Sequence, residues 1–220
     1  TSMLHWRVES AWCNKIRVKR FPEETKPKIP ATLEWVLTFA RQAIDDDLPH
    51  LAALCLFMFG TGARVGETTE LIWADIDLTK GVVTIAQSKT KHTRIAHLQG
   101  PVLAALANIP VNRNPDAKVF GYAGRDSAFK VWVNVIKRAG IDYLTPHCCR
   151  HGFATTMLQA GYDVKTVAVM GGWKDAATVL KYYAHARTDP TVTDAIFGTN
   201  LTQDAKDHEL SSWNKTRKAQ

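Results

Sequence analysis

Residues Leu51 to Phe59 form an unbroken apolar run that stops at Gly60-Thr61-Gly62. A helix that is apolar on every side needs packing partners on every side. The run falls well short of the roughly eighteen apolar residues of a membrane-spanning helix, and no other stretch approaches that length. It therefore predicts a buried central helix with the other elements wrapped around it. The chain of 220 residues can supply that wrapping: 45% are apolar and seven are tryptophan, which excludes disorder throughout. The length fits one large domain, or one domain with an appendage.

The flanking patterns are mostly helical. Leu33, Val36, Leu37, Ala40 and Ile44 form a stripe that predicts a helix from Thr32, broken at Asp45 to Asp47 and Pro49. A short helix after Gly62 carries Arg64, Glu67, Glu70 and Leu71. Val82 to Ile85 and Thr93 to Leu98 read as strands joined by a polar tip, Gln87-Ser88-Lys89-Thr90-Lys91-His92. Phe129, Trp132, Val133 and Ile136 predict a helix that stops at Gly140. Thr145-Pro146 predicts another start, with the threonine hydroxyl as cap; its inner stripe is Phe153, Ala154, Met157 and Leu158. Asp163 opens a helix that closes at Gly171-Gly172, and Lys174 to Tyr183 forms the next. The predicted fold class is mainly α with a small antiparallel β-sheet (α+β).

Lysine and arginine outnumber the acidic residues 28 to 21, a net charge of +7. With a pI near 9.3, that balance favours a polyanionic partner, nucleic acid or an anionic surface. Four cysteines without a Cys-x-x-Cys pair make neither a disulfide scaffold nor a zinc ribbon, and a reducing cytoplasm is the expected compartment. No His-Glu-x-x-His pattern points to a metal. No apolar stretch with a cleavage site follows Thr1-Ser2-Met3, so these residues do not read as a signal peptide.

Four polar islands remain once the core stripes are set aside. They are Gly62-Ala63-Arg64-Val65-Gly66-Glu67, Lys89, His147-Cys148-Cys149-Arg150-His151, and Gly171-Gly172-Trp173 with Tyr182-Tyr183-Ala184-His185. His147 and Arg150 stand i,i+3 in a first helical turn and are expected to project from one face, where free N–H groups attract an anion. Two arginines, a lysine, a histidine and a tyrosine make chemical sense at one phosphodiester. Guanidinium forks match the non-bridging oxygens and stay charged. Such donors stabilise a phosphoryl-transfer transition state without metal. A tyrosine hydroxyl can attack covalently, and a lysine can protonate the leaving alkoxide.

Here the chain resembles the catalytic domain of the tyrosine recombinases, the integrase family of phages and mobile elements, over roughly residues 30 to 186. Thr61-Gly62-Ala63-Arg64-Val65-Gly66-Glu67 is similar to that family's T-G-x-R-x-x-E box. Lys89-Thr90-Lys91, with Arg94 and Leu98, resembles its hairpin lysine segment. Thr145 to Thr155 resembles H-x-x-R-H-x-F-A-T with its lead-in, Gly172-Trp173 stands where Gly-His is usual, and Tyr183-Ala184-His185 resembles the nucleophile segment. The resemblance implies a DNA breaking-rejoining fold and a site-specific recombinase or integrase. It implies that Arg64 and Arg150 clamp the scissile phosphate and that Lys89 is general acid for the 5′-oxygen. His147 assists proton transfer, Trp173 donates its indole N–H to a phosphate oxygen, and Tyr183 forms a 3′-phosphotyrosine. Glu67 is implied as a support. The family works without a cofactor, metal or ATP on double-stranded DNA, as a homotetramer when full-length. This fragment is expected to be monomeric, to bind DNA in a salt-sensitive way, and to be a bacterial or phage-encoded protein that is cytoplasmic and nucleoid-associated. Residues 1–30 are expected to be the stub of a truncated N-terminal region and linker, 31–186 the catalytic domain, and 187–220 a tail exchanged between subunits.

Several alternatives stand beside these readings. Spacing from Trp173 admits Tyr182 as well as Tyr183, while the following Ala184-His185 favours Tyr183. Tryptophan in place of histidine can donate a hydrogen bond but cannot shuttle a proton. Arg64 could pair with Glu67 or Glu70 on a helix surface, and Lys89 could belong to a solvated charge cluster. Lys91 and Arg94 divide evenly between the two kinds of role, and His151 is expected to support the fold. Competing functions are a non-catalytic DNA-binding module, a type IB topoisomerase-like relaxing enzyme and, least supported, a metal-dependent nuclease.

Overall fold

In a computed structural model, residues 29–86, 93–110 and 114–183 are described, with side chains as far as residue 180. The apolar run lies in helix α2 (Pro49–Thr61), where Leu51, Ala52, Ala53, Leu54, Cys55, Phe57 and Met58 are all buried. Around it pack α1 (Leu33–Asp45), α4 (Gly100–Ala107) and α6 (His147–Gln159). The central-helix reading holds. Among the described residues, no helix is long and apolar enough to cross a membrane.

Helix α1 begins as expected, with Thr32 Oγ1 accepting from the Trp35 N–H at 3.1 Å. Its buried face differs from the expected stripe. Trp35, Val36, Phe39, Ala40 and Ala43 point inward, while Leu33, Leu37 and Ile44 are exposed. The reason lies across the core. Trp35 and Phe39 stack at 5.3 Å, and Phe39 meets Trp132 of α5 (Arg125–Ala139) at 4.1 Å. Large aromatic surfaces gain more from burial than aliphatic ones on the neighbouring stripe. Both indoles also find acceptors, Trp35 Nε1 donating to Asp142 O at 2.9 Å and Trp132 Nε1 to Leu144 O at 2.8 Å. Helix α5 ends at Gly140 as expected, in a left-handed conformation.

The sheet holds three antiparallel strands, β1 (Ile76–Asp77), β2 (Val82–Ala86) and β3 (Thr93–His97), in the order β1-β2-β3. Strand β1 has two residues, too few to leave a pattern in the sequence. Val83 pairs with Ala96 and Ile85 with Arg94. Val83, Ile85 and Ala96 face the core, so side-chain alternation turns Arg94 inward too, while Ile95 is 71% exposed.

Helix α6 packs closely on α2 and the lead into α1. Ala31 N–H donates to Cys148 O at 3.0 Å, and a Cβ on Gly152 would collide with Ala31 O and the Phe59 ring. Its start differs from expectation. Pro146 occupies the cap position, Thr145 accepts through its main-chain carbonyl from Cys148 N–H at 2.8 Å, and the Thr145 hydroxyl meets Cys148 Sγ instead. A proline already in helical conformation moves the start on by one residue, which leaves the threonine outside the cap. Beyond α6, α7 (Val164–Gly171) and α8 (Ala176–Tyr183) close over a small second cluster of Ala154, Val167, Ala168 and Val179. Asp163 caps α7 by accepting from Thr166 N–H at 2.9 Å.

Candidate active site

Two chain turns meet here, one between the end of α2 and helix α3 (Val65–Glu70), the other at the end of α7. The first is held by Thr61, whose hydroxyl donates to Phe57 O at 2.7 Å and accepts from Ala63 N–H at 3.3 Å. Gly62 follows with φ +66°, and a Cβ there would stand 2.7 Å from Phe153 Cδ1. Only glycine suits both that conformation and that approach. Gly62→Ala is expected to lower stability by about 1–3 kcal/mol, from left-handed strain and the clash together. A urea titration would show a lower midpoint at unchanged slope.

Arg150 rises from α6 into this junction and is 1% exposed. Its Nη1 donates to Gly62 O and, at 2.6 Å, to Gly171 O, while Nη2 reaches Gly172 O at 3.4 Å. The Trp173 ring lies over the guanidinium, 3.7 Å from Cζ, and stacks on Phe153 at 6.4 Å. A buried cation needs such partners, and the three carbonyls with the π-face provide them.

Arg64 precedes α3 and approaches the same place from the solvent side. Its Nη2 donates to Gly172 O at 3.3 Å, so one carbonyl oxygen accepts from both arginines. Its Nη1 pairs with Glu67 Oε1 at 2.6 Å, and its backbone N–H donates to Glu67 Oε2 at 3.0 Å. The Glu67 side chain is only 5% exposed, against 42% for Arg64. Arg94 completes the cluster. Its Nη1 donates to Glu67 Oε2 at 3.4 Å, Nε to Met170 O at 3.1 Å and Nη2 to Thr61 O at 3.4 Å. Burial pulls the Arg94 guanidinium below its ordinary pKa, while the Glu67 carboxylate opposes that shift. An arginine so placed stays charged.

The sequence model of the phage integrase family matches residues 33–189. The chain belongs to the phage integrase family. It is 29% identical over 170 residues to tyrosine recombinase XerA of Pyrococcus furiosus, a match covering 71% of this chain and 59% of that protein. It is 30% identical over 179 residues to tyrosine recombinase XerD of Neisseria meningitidis, covering 72% and 61%. The integrase of Salmonella phage P22 is 28% identical over 182 residues, covering 74% and 47%. The chain thus spans about half to three-fifths of these relatives' length. The fold is shared with the catalytic domain of bacteriophage HP1 integrase, at TM-score 0.61 and 18% identity over 79% of this chain and 95% of that one. It is also shared with the Tn1549 transposon integrase solved with a circular intermediate DNA, at TM-score 0.65 and 21% identity over 80% and 67%. The expected mainly α fold with a small antiparallel sheet is that of this family.

Within this phage integrase domain the structure brings Arg64, Arg150 and Trp173 together. The pairing of Arg64 with Glu67 that the sequence also allowed is present, with the carboxylate nearly buried. His147 and Arg150 do not project alike. His147 is exposed at the start of α6, its ring edge-on to the buried His151 at 4.6 Å, whereas Arg150 is drawn inward by the glycine carbonyls. Lys89 and Lys91 lie outside the described residues, as does the side chain of Tyr183; the backbone of Tyr183 ends α8, which packs on α6 and α7. Arg94, left evenly balanced from sequence, is part of the cluster, and the strand register was the signal that placed it. Among the described residues, no group of three or more His, Cys, Asp or Glu side chains could hold a metal ion.

Proposed function

We propose that this chain carries the catalytic part of a site-specific DNA recombinase or integrase, which breaks and rejoins double-stranded DNA through a 3′-phosphotyrosine. The observation that carries this reading is the convergence of Arg64 and Arg150 on one acceptor, Gly172 O. Two fixed guanidiniums within reach of one oxygen are suited to the non-bridging oxygens of a phosphodiester. The names of the curated relatives, recombinases and an integrase, support the same reading.

In the proposed reaction the Tyr183 hydroxyl attacks phosphorus, with His147 assisting removal of its proton. The bond to the 5′-oxygen breaks as Lys89 supplies that oxygen with a proton. The phosphotyrosine keeps the bond energy, so attack by a 5′-hydroxyl reverses the step and returns both protons. Arg64 and Arg150 hold the charge that builds on the phosphate, and the Trp173 indole N–H adds a donor. Because Arg150 is 1% exposed beneath Trp173, phosphate binding in this scheme displaces the ring and exchanges glycine carbonyls for phosphate oxygens. Residues 31–186 are the proposed catalytic domain, 1–30 and 187–220 its appendages, and the full-length protein is proposed to act as a homotetramer on DNA.

The test is covalent trapping on a nicked duplex from the element's own attachment region, on a denaturing gel with chelator present. The short strand beyond the nick diffuses away after cleavage, which leaves the adduct unable to reverse. A chelator-resistant protein–DNA adduct is the expected result. DNA binding without an adduct would instead make the chain a non-catalytic binding module, and chelator-sensitive cutting would make it a metal nuclease.

A further inference from the structure

We infer that Arg94 is a positioning residue for this reaction: it fixes the Glu67 carboxylate that orients Arg64, and it ties strand β3 to the turn that carries Trp173. The inference rests on the function proposed above.

Strand alternation sends the Arg94 side chain into the protein, where it is 10% exposed. Its three nitrogens donate to three separate elements: Thr61 O at the end of α2, Glu67 Oε2 in α3, and Met170 O in α7. Met170 directly precedes Gly171 and Gly172, whose carbonyls accept from Arg150. Glu67 is shared in turn. One carboxylate oxygen holds Arg64 Nη1, and the other holds the Arg64 N–H and Arg94 Nη1. Without Arg94 this nearly buried carboxylate keeps a single cation and is free to turn toward it, which draws the Arg64 guanidinium off Gly172 O. A lysine cannot replace the fork, because one ammonium cannot reach three acceptors spread around a plane. The salt slope separates this framing role from a direct contact with DNA phosphate.

The experiment compares the wild-type chain with Arg94→Gln, Arg94→Lys, Glu67→Gln and the double variant Arg94→Gln/Glu67→Gln. Single-turnover adduct formation on the nicked duplex is measured at saturating protein, together with DNA affinity over a salt series and the unfolding midpoint. A misplaced catalytic group costs up to about 10²-fold, so Arg94→Gln is expected to slow adduct formation by about 10- to 100-fold. Affinity and its salt slope stay near wild type, Arg94→Lys does not rescue the rate, and the double variant is about as slow as Glu67→Gln alone. Should Arg94→Gln fail to fold, Arg94→Lys keeps the charge and stem and carries the same comparison. Full rescue by lysine, multiplying losses in the double variant, or a salt slope reduced by about one would each overturn the inference, the last by making Arg94 a phosphate ligand. A wild-type chain that forms no adduct removes the proposed function and this inference with it; an active wild type with any of those three results removes the inference alone.

Discussion

Arg150→Ala is expected to abolish adduct formation and to lower the unfolding free energy by about 3–5 kcal/mol, the range seen when one partner of a buried charged contact is removed. The two losses have one cause. The guanidinium bonds to the carbonyls of Gly62, Gly171 and Gly172, and its removal takes the cation from the first two and leaves the third with Arg64 alone. Trp173 also loses the cation beneath its ring, and the two turns that Arg150 joins lose their shared partner. Loss of one preorganised donor to a developing charge costs about 10²–10³-fold in rate, and here the whole fork goes. Arg150→Lys is expected to regain part of the stability and little of the rate, since one ammonium can serve one or two of the carbonyls. Urea midpoints and trapped adduct at a temperature where each variant is folded check both statements. An unchanged midpoint for the alanine variant would mean that the carbonyls are satisfied some other way, and that Arg150 serves the chemistry alone.

Much of this molecule was legible in one sequence because its elements announce themselves locally. The apolar run Leu51 to Phe59 required a central helix, Gly62 and Gly140 marked helix ends, and Asp163 marked a start; each is where the pattern put it. What could not be read was which face of an element meets which partner. Leu33, Leu37 and Ile44 made as good a stripe as Trp35, Phe39 and Ala43, and only Trp132, distant in the chain, chose between them. In β3 the sequence left Arg94 evenly divided between a solvated and a functional role. The register opposite Ile85 turns it inward and leaves Ile95 exposed.

The site follows the same rule. Its candidate residues were readable through motifs that resemble the tyrosine recombinases, since each residue alone had an ordinary structural explanation. Its connections were not, because Arg150 reaches carbonyls 88 and 21 residues away in the chain. Main-chain carbonyls leave no side-chain signature, so the burial of Arg150 and the doubly used Gly172 oxygen had no signal in the sequence.

Tyr183→Phe is expected to eliminate the trapped adduct, while Tyr182→Phe retains it. Phenylalanine keeps the ring and the helix while removing the one atom that forms the new bond, so a true nucleophile falls to background rather than to a reduced rate. Tyr182 and Tyr183 are successive residues of α8 and stand about 100° apart around its axis. The proposed reaction uses one nucleophile, so only one of the two substitutions is expected to remove the adduct. The Ala184-His185 that follows gives the preference to Tyr183 through the family pattern, whereas helix phase pulls weakly the other way, since Tyr183 lies one turn beyond the buried Val179. Adduct lost only in Tyr182→Phe would keep the chemistry and move the nucleophile by one position. Adduct retained in both variants would mean that neither tyrosine attacks, and the phosphotyrosine mechanism would have to be given up.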